Sequence, residues 1–261
     1  MSAAAGPEPF SLEGQAAIVT GASSGLGAIM ARGLAGAGCA VVVAARRETE
    51  LRHLAEEILA GGGRALARGA DLRDLGHAED LVDAALGAFG RLDGVVLNAG
   101  VSALGPAEAE DLAAFSDVLA VNVTAQVALA AAGARAMIGA GHGGWMIALS
   151  SILGRRAGTG PGVAAYAASK GAIEQLVREL ARQWAPHGIR VNGLAPGYFP
   201  TAMNAPMVAD PARRAAIMAR TPMGRAGEPE DLVGATVFLA SRAAGFVTGH
   251  TLPLDGGMSC W

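Results

Sequence analysis

The sequence predicts an α/β fold, a parallel sheet with helices on both faces. Three observations carry that expectation. Short apolar runs of strand length alternate with longer stretches of helical spacing. The first run ends in a turn with three glycines that opens onto an Ala-rich segment. Core material is also plentiful: 52% of the 261 residues are hydrophobic, 16% are charged and only 4% are aromatic, so the interior is built from Ala, Val, Leu and Ile.

Taken in order, AAIVT (16–20) and AVVVAA (40–45) read as fully buried strands. RALARGA (64–70) is weaker, because two arginines interrupt it. DGVVLN (93–98), GWMIALS (144–150), IRVNGLA (189–195) and a last run at 250–254 complete the strands. Helices are expected over 25–38, 48–61, 76–89, 110–140, 163–186 and 228–241. The apolar stretch 118–138 contains Asn122, Thr124, Gln126 and Arg135, which favours a buried helix over a membrane span. No linker or repeat divides the chain, so residues 11–261 are expected to form one domain behind a flexible tail at 1–10. The opening MSAAAGPEPF lacks the basic and apolar regions of a signal peptide. Residues 197–226, rich in Pro, Met and Ala, follow a strand end and are expected to form a lid over the substrate.

Charge narrows the partners. The net charge is −3, and the pairs Arg46–Arg47 and Arg155–Arg156 are short and isolated, so neither nucleic acid nor an anionic membrane is expected. Cys39 and Cys260 have no metal-like spacing and form no disulfide framework, which fits a reducing, cytoplasmic compartment and no metal. Low charge with high apolar content points to burial at subunit interfaces. The terminal Cys260–Trp261 is open between a subunit contact and a place near a neighbour's pocket.

The glycine turn reads TGASSGLG, residues 20–27. After a strand and before a helix, it would aim the free N–H groups of the helix N-terminus at an anion. Gly21 would allow the tight turn, Gly25 the approach of a pyrophosphate, and Gly27 the packing of helix on strand; Ser23, Ser24 and Leu26 share the same cradle. At the end of the next strand, an acidic residue would bind a ribose 2′-hydroxyl. Ala45 stands there, eighteen residues beyond Gly27, and Arg46 and Arg47 follow. A missing carboxylate beside guanidinium groups favours NADP(H) over NAD.

A second constellation is YAASK at 166–170. Tyr166 and Lys170 share one helical face. A nearby ammonium and a bound nicotinamide cation would both favour the phenolate, so Tyr166 could exchange a proton with a carbonyl or alcohol oxygen. ALSS, ending at Ser151, closes an apolar strand where a hydroxyl could hold that same oxygen.

With these residues in place, the chain resembles the short-chain dehydrogenase/reductase family over nearly its whole length. The resemblance rests on TGASSGLG, GADL with Asp71 and Leu72, LNAG with Asn98, Ala99 and Gly100, Asn122 in VNV, Ser150–Ser151, YAASK, PGYFPT with Pro196, Gly197 and Thr201, and DGG at 255–257. It implies a doubly wound, Rossmann-type, seven-stranded parallel sheet, hydride transfer from the nicotinamide, and a homotetramer. It implies Tyr166 as acid/base, Lys170 on the nicotinamide ribose, Ser151 on the substrate oxygen and Asn122 at a proton-relay water. Asp71 is implied at the adenine, Asn98 as a structural amide beside the cofactor, and Thr201 at the nicotinamide carboxamide. Leu97 replaces a more usual Asn, and a long span from serine to tyrosine keeps Ser150 as the alternative to Ser151.

Several segments resemble gluconate 5-dehydrogenase-like members and also 3-oxoacyl-carrier-protein reductases. A sugar acid needs a cation, for which Arg155 and Arg156 are the best candidates; Arg213–Arg214 would add to a basic rim for a carrier protein. Ile152, Leu153, Phe199, Met203 and Met207 would instead make an apolar wall. The reading favoured is an NADP(H)-dependent reductase of a moderately apolar ketone. The alternatives are a 3-oxoacyl-thioester or keto-sugar-acid reductase, an epimerase or dehydratase using a similar tyrosine, and a non-catalytic dinucleotide-binding protein.

Overall fold

The structure is a computed structural model and describes residues 8–158, 162–201 and 210–260. Seven parallel strands form one sheet in the order β3-β2-β1-β4-β5-β6-β7. They are β1 (Ala16–Thr20), β2 (Ala40–Ala45), β3 (Ala65–Gly69), β4 (Gly94–Leu97), β5 (Gly144–Leu149), β6 (Ile189–Pro196) and β7 (Thr251–Leu254). The predicted strands all form, within a residue or two of their expected ends. The weak one, β3, is an edge strand whose residues are partly or fully exposed, which is why arginine is tolerated in it.

Alternate residues of each strand enter opposite layers. Ala17 and Val19 of β1 pack with α1 (Gly25–Gly36) and α2 (Glu48–Ala60) on one face. Ile18 packs on the other face with α3 (His77–Phe89). The expected helix over 110–140 is really three pieces: α4 (Leu112–Leu119), a π-helical turn at Ala120–Thr124, and α5 (Ala125–Ala140). Its periodicity hid that turn because one extra residue leaves the apolar composition unchanged. By length and composition this stretch could cross a membrane. Here its Leu129, Ala130 and Met137 are buried under the sheet, and Gln126 hydrogen-bonds the Ala99 carbonyl.

The long α6 (Ala164–Trp184) joins that second layer through Ile173 and Val177. A helix absent from the sequence expectation, α7 (Pro211–Ala219), lies within the lid span. Its start was legible: Asp210 accepts from the amides of Ala212 and Arg213, and Pro211 follows the cap. Finally, α8 (Pro229–Ala240) returns to the first layer through Leu232 and Leu239. Of the expected tail, residues 1–7 lie outside the described residues, while the Pro9 carbonyl accepts from Ala243 N. Met203, Met207 and Trp261 also lie outside them.

Candidate active site

Strand order reverses between β1 and β4, and a cleft of about 600 Å³ opens at the carboxyl ends of the strands there. Its floor is the glycine turn. Gly21 and Gly25 have φ of +64° and +57°, which other residues rarely adopt. At Gly27 a Cβ would stand 2.4 Å from the Gly21 carbonyl oxygen, so α1 could not approach the turn with any larger residue. The amino end of α1 therefore faces the cleft with backbone N–H groups. The Thr201 methyl covers Gly25 from the opposite wall, where a Cβ on Gly25 would meet it at 3.4 Å. This cradle of backbone donors and small residues fits a pyrophosphate.

Ser23, Ser24 and Leu26 line the cleft, as do Asp71 and Leu72 beyond β3 and Pro196 and Gly197 at the end of β6. Arg46 and Arg47 leave the end of β2 differently. Arg47 folds over the turn and donates to Ser24 Oγ at 2.6 Å and Ser23 Oγ at 3.0 Å. The Arg46 guanidinium is exposed, lines the cleft and makes no hydrogen bond among the described residues. Asn98, Ala99 and Gly100 form the wall above β4. Asn98 Nδ2 donates to the Thr20 carbonyl at 2.8 Å. Thr20, which the sequence reading passed over, ties the two strand ends together. Its hydroxyl donates to the Val96 carbonyl and accepts from the amides of Asn98 and Ala99. It is the first residue of the quoted turn, so its position was the available signal.

The catalytic end lies between β5 and α6. Ser151, Tyr166 and Lys170 all line the cleft. Ser151 stands close enough to the Tyr166 hydroxyl to act on its titration, while Ser150 turns away to donate to the Lys170 carbonyl at 3.1 Å. That geometry favours Ser151 of the two. Lys170, the single lysine of the chain, is buried, and its Nζ donates to the Leu149 carbonyl at 2.6 Å and stands 5.5 Å from the Tyr166 ring centroid. Burial pulls its pKa down to about 8. Burial also pushes the Tyr166 phenol above its ordinary value, opposed by the neighbouring Ser151 hydroxyl. Enclosure thus favours the phenol form of Tyr166 in the cofactor-free protein, the form able to donate a proton.

Asn122 and Gly27 stand one layer behind the cleft. The π turn aims Asn122 at the loop after β4, where it accepts from Val101 N at 2.8 Å and donates to the Val101 carbonyl at 2.9 Å. It also donates to Ser169 Oγ, whose hydroxyl in turn donates to the Tyr166 carbonyl. The amide is fully engaged and braces the cleft wall against the tyrosine helix. Ser169, inside the YAASK motif, completes that link. The two arginines expected to meet a substrate carboxylate have internal partners: Arg155 pairs with Glu174, and Arg156 donates to the Met258 carbonyl. Ile152 and Leu153 sit in a short 3-10 turn outside the cleft lining, which corrects their place in the expected apolar wall; Phe199 does line the cleft, joined there by Val101, Val121 and Leu149, and Met203 and Met207 lie outside the described residues. Among the described residues, no group of His, Cys, Asp or Glu could hold a metal ion.

Residues 21–259 match a family model described as enoyl-(acyl carrier protein) reductase. A gluconate 5-dehydrogenase from Gluconobacter oxydans is 40% identical over 97% of this chain and 98% of its own. A 3β-hydroxysteroid dehydrogenase from Eggerthella lenta is 39% identical over 96% of this chain and 95% of its own. The crystal structure of a gluconate 5-dehydrogenase from Burkholderia cenocepacia, in complex with NADP and tartrate, superposes with a TM-score of 0.92 at 37% identity, covering 97% of this chain and 98% of that one. With this match from the glycine turn to the C-terminal segment, on a seven-stranded parallel sheet carrying Ser151, Tyr166 and Lys170 in one cleft, the chain belongs to the short-chain dehydrogenase/reductase family of oxidoreductases.

Proposed function

We propose that the protein reduces a neutral, moderately apolar ketone to a secondary alcohol at the expense of NADPH, and runs the reverse oxidation with NADP. The observation that carries this reading is the placement of the Tyr166 phenol beside Ser151 and Lys170 at the apolar end of a cleft whose other end holds the arginines. Bound NADPH supplies the hydride. Tyr166 Oη donates its proton to the ketone oxygen, and Ser151 Oγ hydrogen-bonds that oxygen and fixes its distance from the phenol. Lys170, held by the Leu149 carbonyl, would hold the cofactor's ribose and support the charge left on Tyr166. Asn122 keeps the Val101 loop and α6 in register. The backbone of the glycine turn would hold the pyrophosphate, and Arg46 the 2′-phosphate.

Val101, Val121, Leu149 and Phe199 wall the catalytic end, and Lys170 is the single cation there among the described residues. A carboxylate would find Arg155 and Arg156 already engaged. A keto-sugar acid is the second reading, favoured by the name of the Gluconobacter relative. It would draw its cation from Arg214, an exposed residue of α7 whose charge reaches Tyr198. Under the same proposal, residues 197–226 act as the lid, the chain works as a homotetramer, and its place is the cytoplasm; light scattering that gives a monomer mass would refute the tetramer.

The test is NADPH oxidation, with NADH in parallel, against cyclic and aryl ketones, a 3-oxoacyl thioester and 5-ketogluconate. The highest kcat/KM is expected for a cyclic ketone with NADPH. A preference for 5-ketogluconate would transfer the reading to sugar acids, and one for the thioester to acyl carriers.

A further inference from the structure

We propose that Arg155 and Glu174 are positioning residues that set the distance between Ser151 and Tyr166; the role rests on the oxidoreductase reading above. The catalytic serine ends β5, whereas the tyrosine and lysine ride on α6, and Ser151 and Tyr166 are fifteen residues apart in the chain. A span of that length can follow many paths, so it does not by itself fix a distance. Three contacts between the start of the span and α6 do so.

Ser150 Oγ donates to the Lys170 carbonyl at 3.1 Å. Gly154 lies against the same peptide, and a Cβ there would stand 2.8 Å from both the carbonyl carbon and oxygen of Lys170. One helical turn further, Arg155 Nε donates to both carboxylate oxygens of Glu174 at 3.0 Å, and Nη2 reaches Oε2 at 2.9 Å. The Glu174 side chain is only 7% exposed. A buried carboxylate held by a fork of donors has one low-energy geometry, which makes the pair a spacer rather than a flexible surface contact. Arg155 Nη2 also donates to the Thr251 carbonyl of β7 at 2.7 Å, and Arg156 donates to that of Met258. The segment directly after Ser151 is therefore anchored on two sides, to the helix that carries Tyr166 and Lys170 and to the C-terminal strand and its following turn. Neither arginine lines the cleft, so their effect on the reaction passes through the placement of Ser151 relative to Tyr166.

The experiment replaces the pair together, Arg155→Met with Glu174→Leu, so that no buried charge is left without a partner. NADPH affinity, kcat and KM for the best ketone are measured, and the change is crossed with Ser151→Ala. The expected result is NADPH affinity within about threefold of wild type and kcat lower by between about 10- and 100-fold. In the Ser151→Ala background the same change should cost less than about threefold more, because the group through which it acts is gone. An unchanged kcat overturns the proposal, and so do losses that multiply across the cycle. Should the paired variant fail to fold, Glu174→Gln keeps the volume and one acceptor oxygen, and the same non-additivity is read from it. A wild-type protein that binds NADPH yet reduces no ketone overturns the oxidoreductase reading itself, and the pair's role with it.

Discussion

The two ends of the cleft are built in opposite ways. At the cofactor end, the charged side chains are exposed: Arg46 and Arg47 are both exposed, Arg47 while folded onto Ser23 and Ser24, and the Asp71 side chain is 44% exposed. Most of that end comes from one stretch of chain, residues 20–73, with the backbone of the glycine turn as its floor. At the catalytic end, Lys170 and Ser151 are buried, and the parts arrive from β4, the π turn, β5 and α6. There the side chains are cross-tied: Asn122 to Val101 and Ser169, Lys170 to Leu149, Ser150 to Lys170. The difference teaches that affinity and chemistry are separable here. Exposed charges tune how tightly a cofactor is held, whereas a buried, tied network fixes where a proton sits.

The sharpest way to break this comparison is Tyr166→Phe. It should lower kcat for ketone reduction by about 10³-fold while leaving NADPH affinity unchanged. Stopped-flow reduction with a cofactor fluorescence titration measures both; near wild-type turnover would remove Tyr166 from the mechanism. At the other end, Arg46→Asp should reduce the preference for NADPH over NADH by about 10- to 100-fold, through KM and not kcat. Arg47→Ala should weaken both cofactors alike, because Arg47 braces the turn through Ser23 and Ser24. Equal effects of the two substitutions on preference would show that both read the phosphate.

Lys170 gives a test within the buried end. Its protonated form is the one that donates to Leu149 and supports Tyr166, and burial brings its pKa down to about 8. Below that pH the ammonium is present, and above it the ammonium is lost. Reduction is therefore expected to hold up to about pH 8 and to decline beyond it. As the chain has one lysine, a ¹⁵N-lysine NMR titration gives a single side-chain signal, and a midpoint near the ordinary lysine value would contradict the burial argument. The smallest effect is expected from Thr20→Val, which keeps the shape but strands the amides of Asn98 and Ala99. It should cost about 2 kcal/mol of stability, seen as a drop of several degrees in Tm, with kcat little changed.

Much of this site was legible from short-range pattern. Gly21, Gly25 and Gly27 announced the turn because only glycine tolerates those conformations and that approach. Tyr166 and Lys170 announced a shared face by their spacing alone. Strand and helix order followed from apolar runs and periodicity, and even the overlooked α7 carried its signal in Asp210–Pro211.

What the sequence by itself determined, then, is whatever a handful of neighbouring residues decide through backbone conformation and periodicity: the sheet, the glycine cradle, the Tyr–Lys face and the absence of an acid after β2. The tertiary structure decided that Ser150 is tied to the Lys170 carbonyl, that Arg47 folds onto Ser24, how Asn122 is turned inward by a π turn, and that Arg155 is paired with Glu174. Each of those outcomes depends on a partner brought close by packing, and the energy of a hydrogen bond or ion pair is set by that distance and burial rather than by residue type.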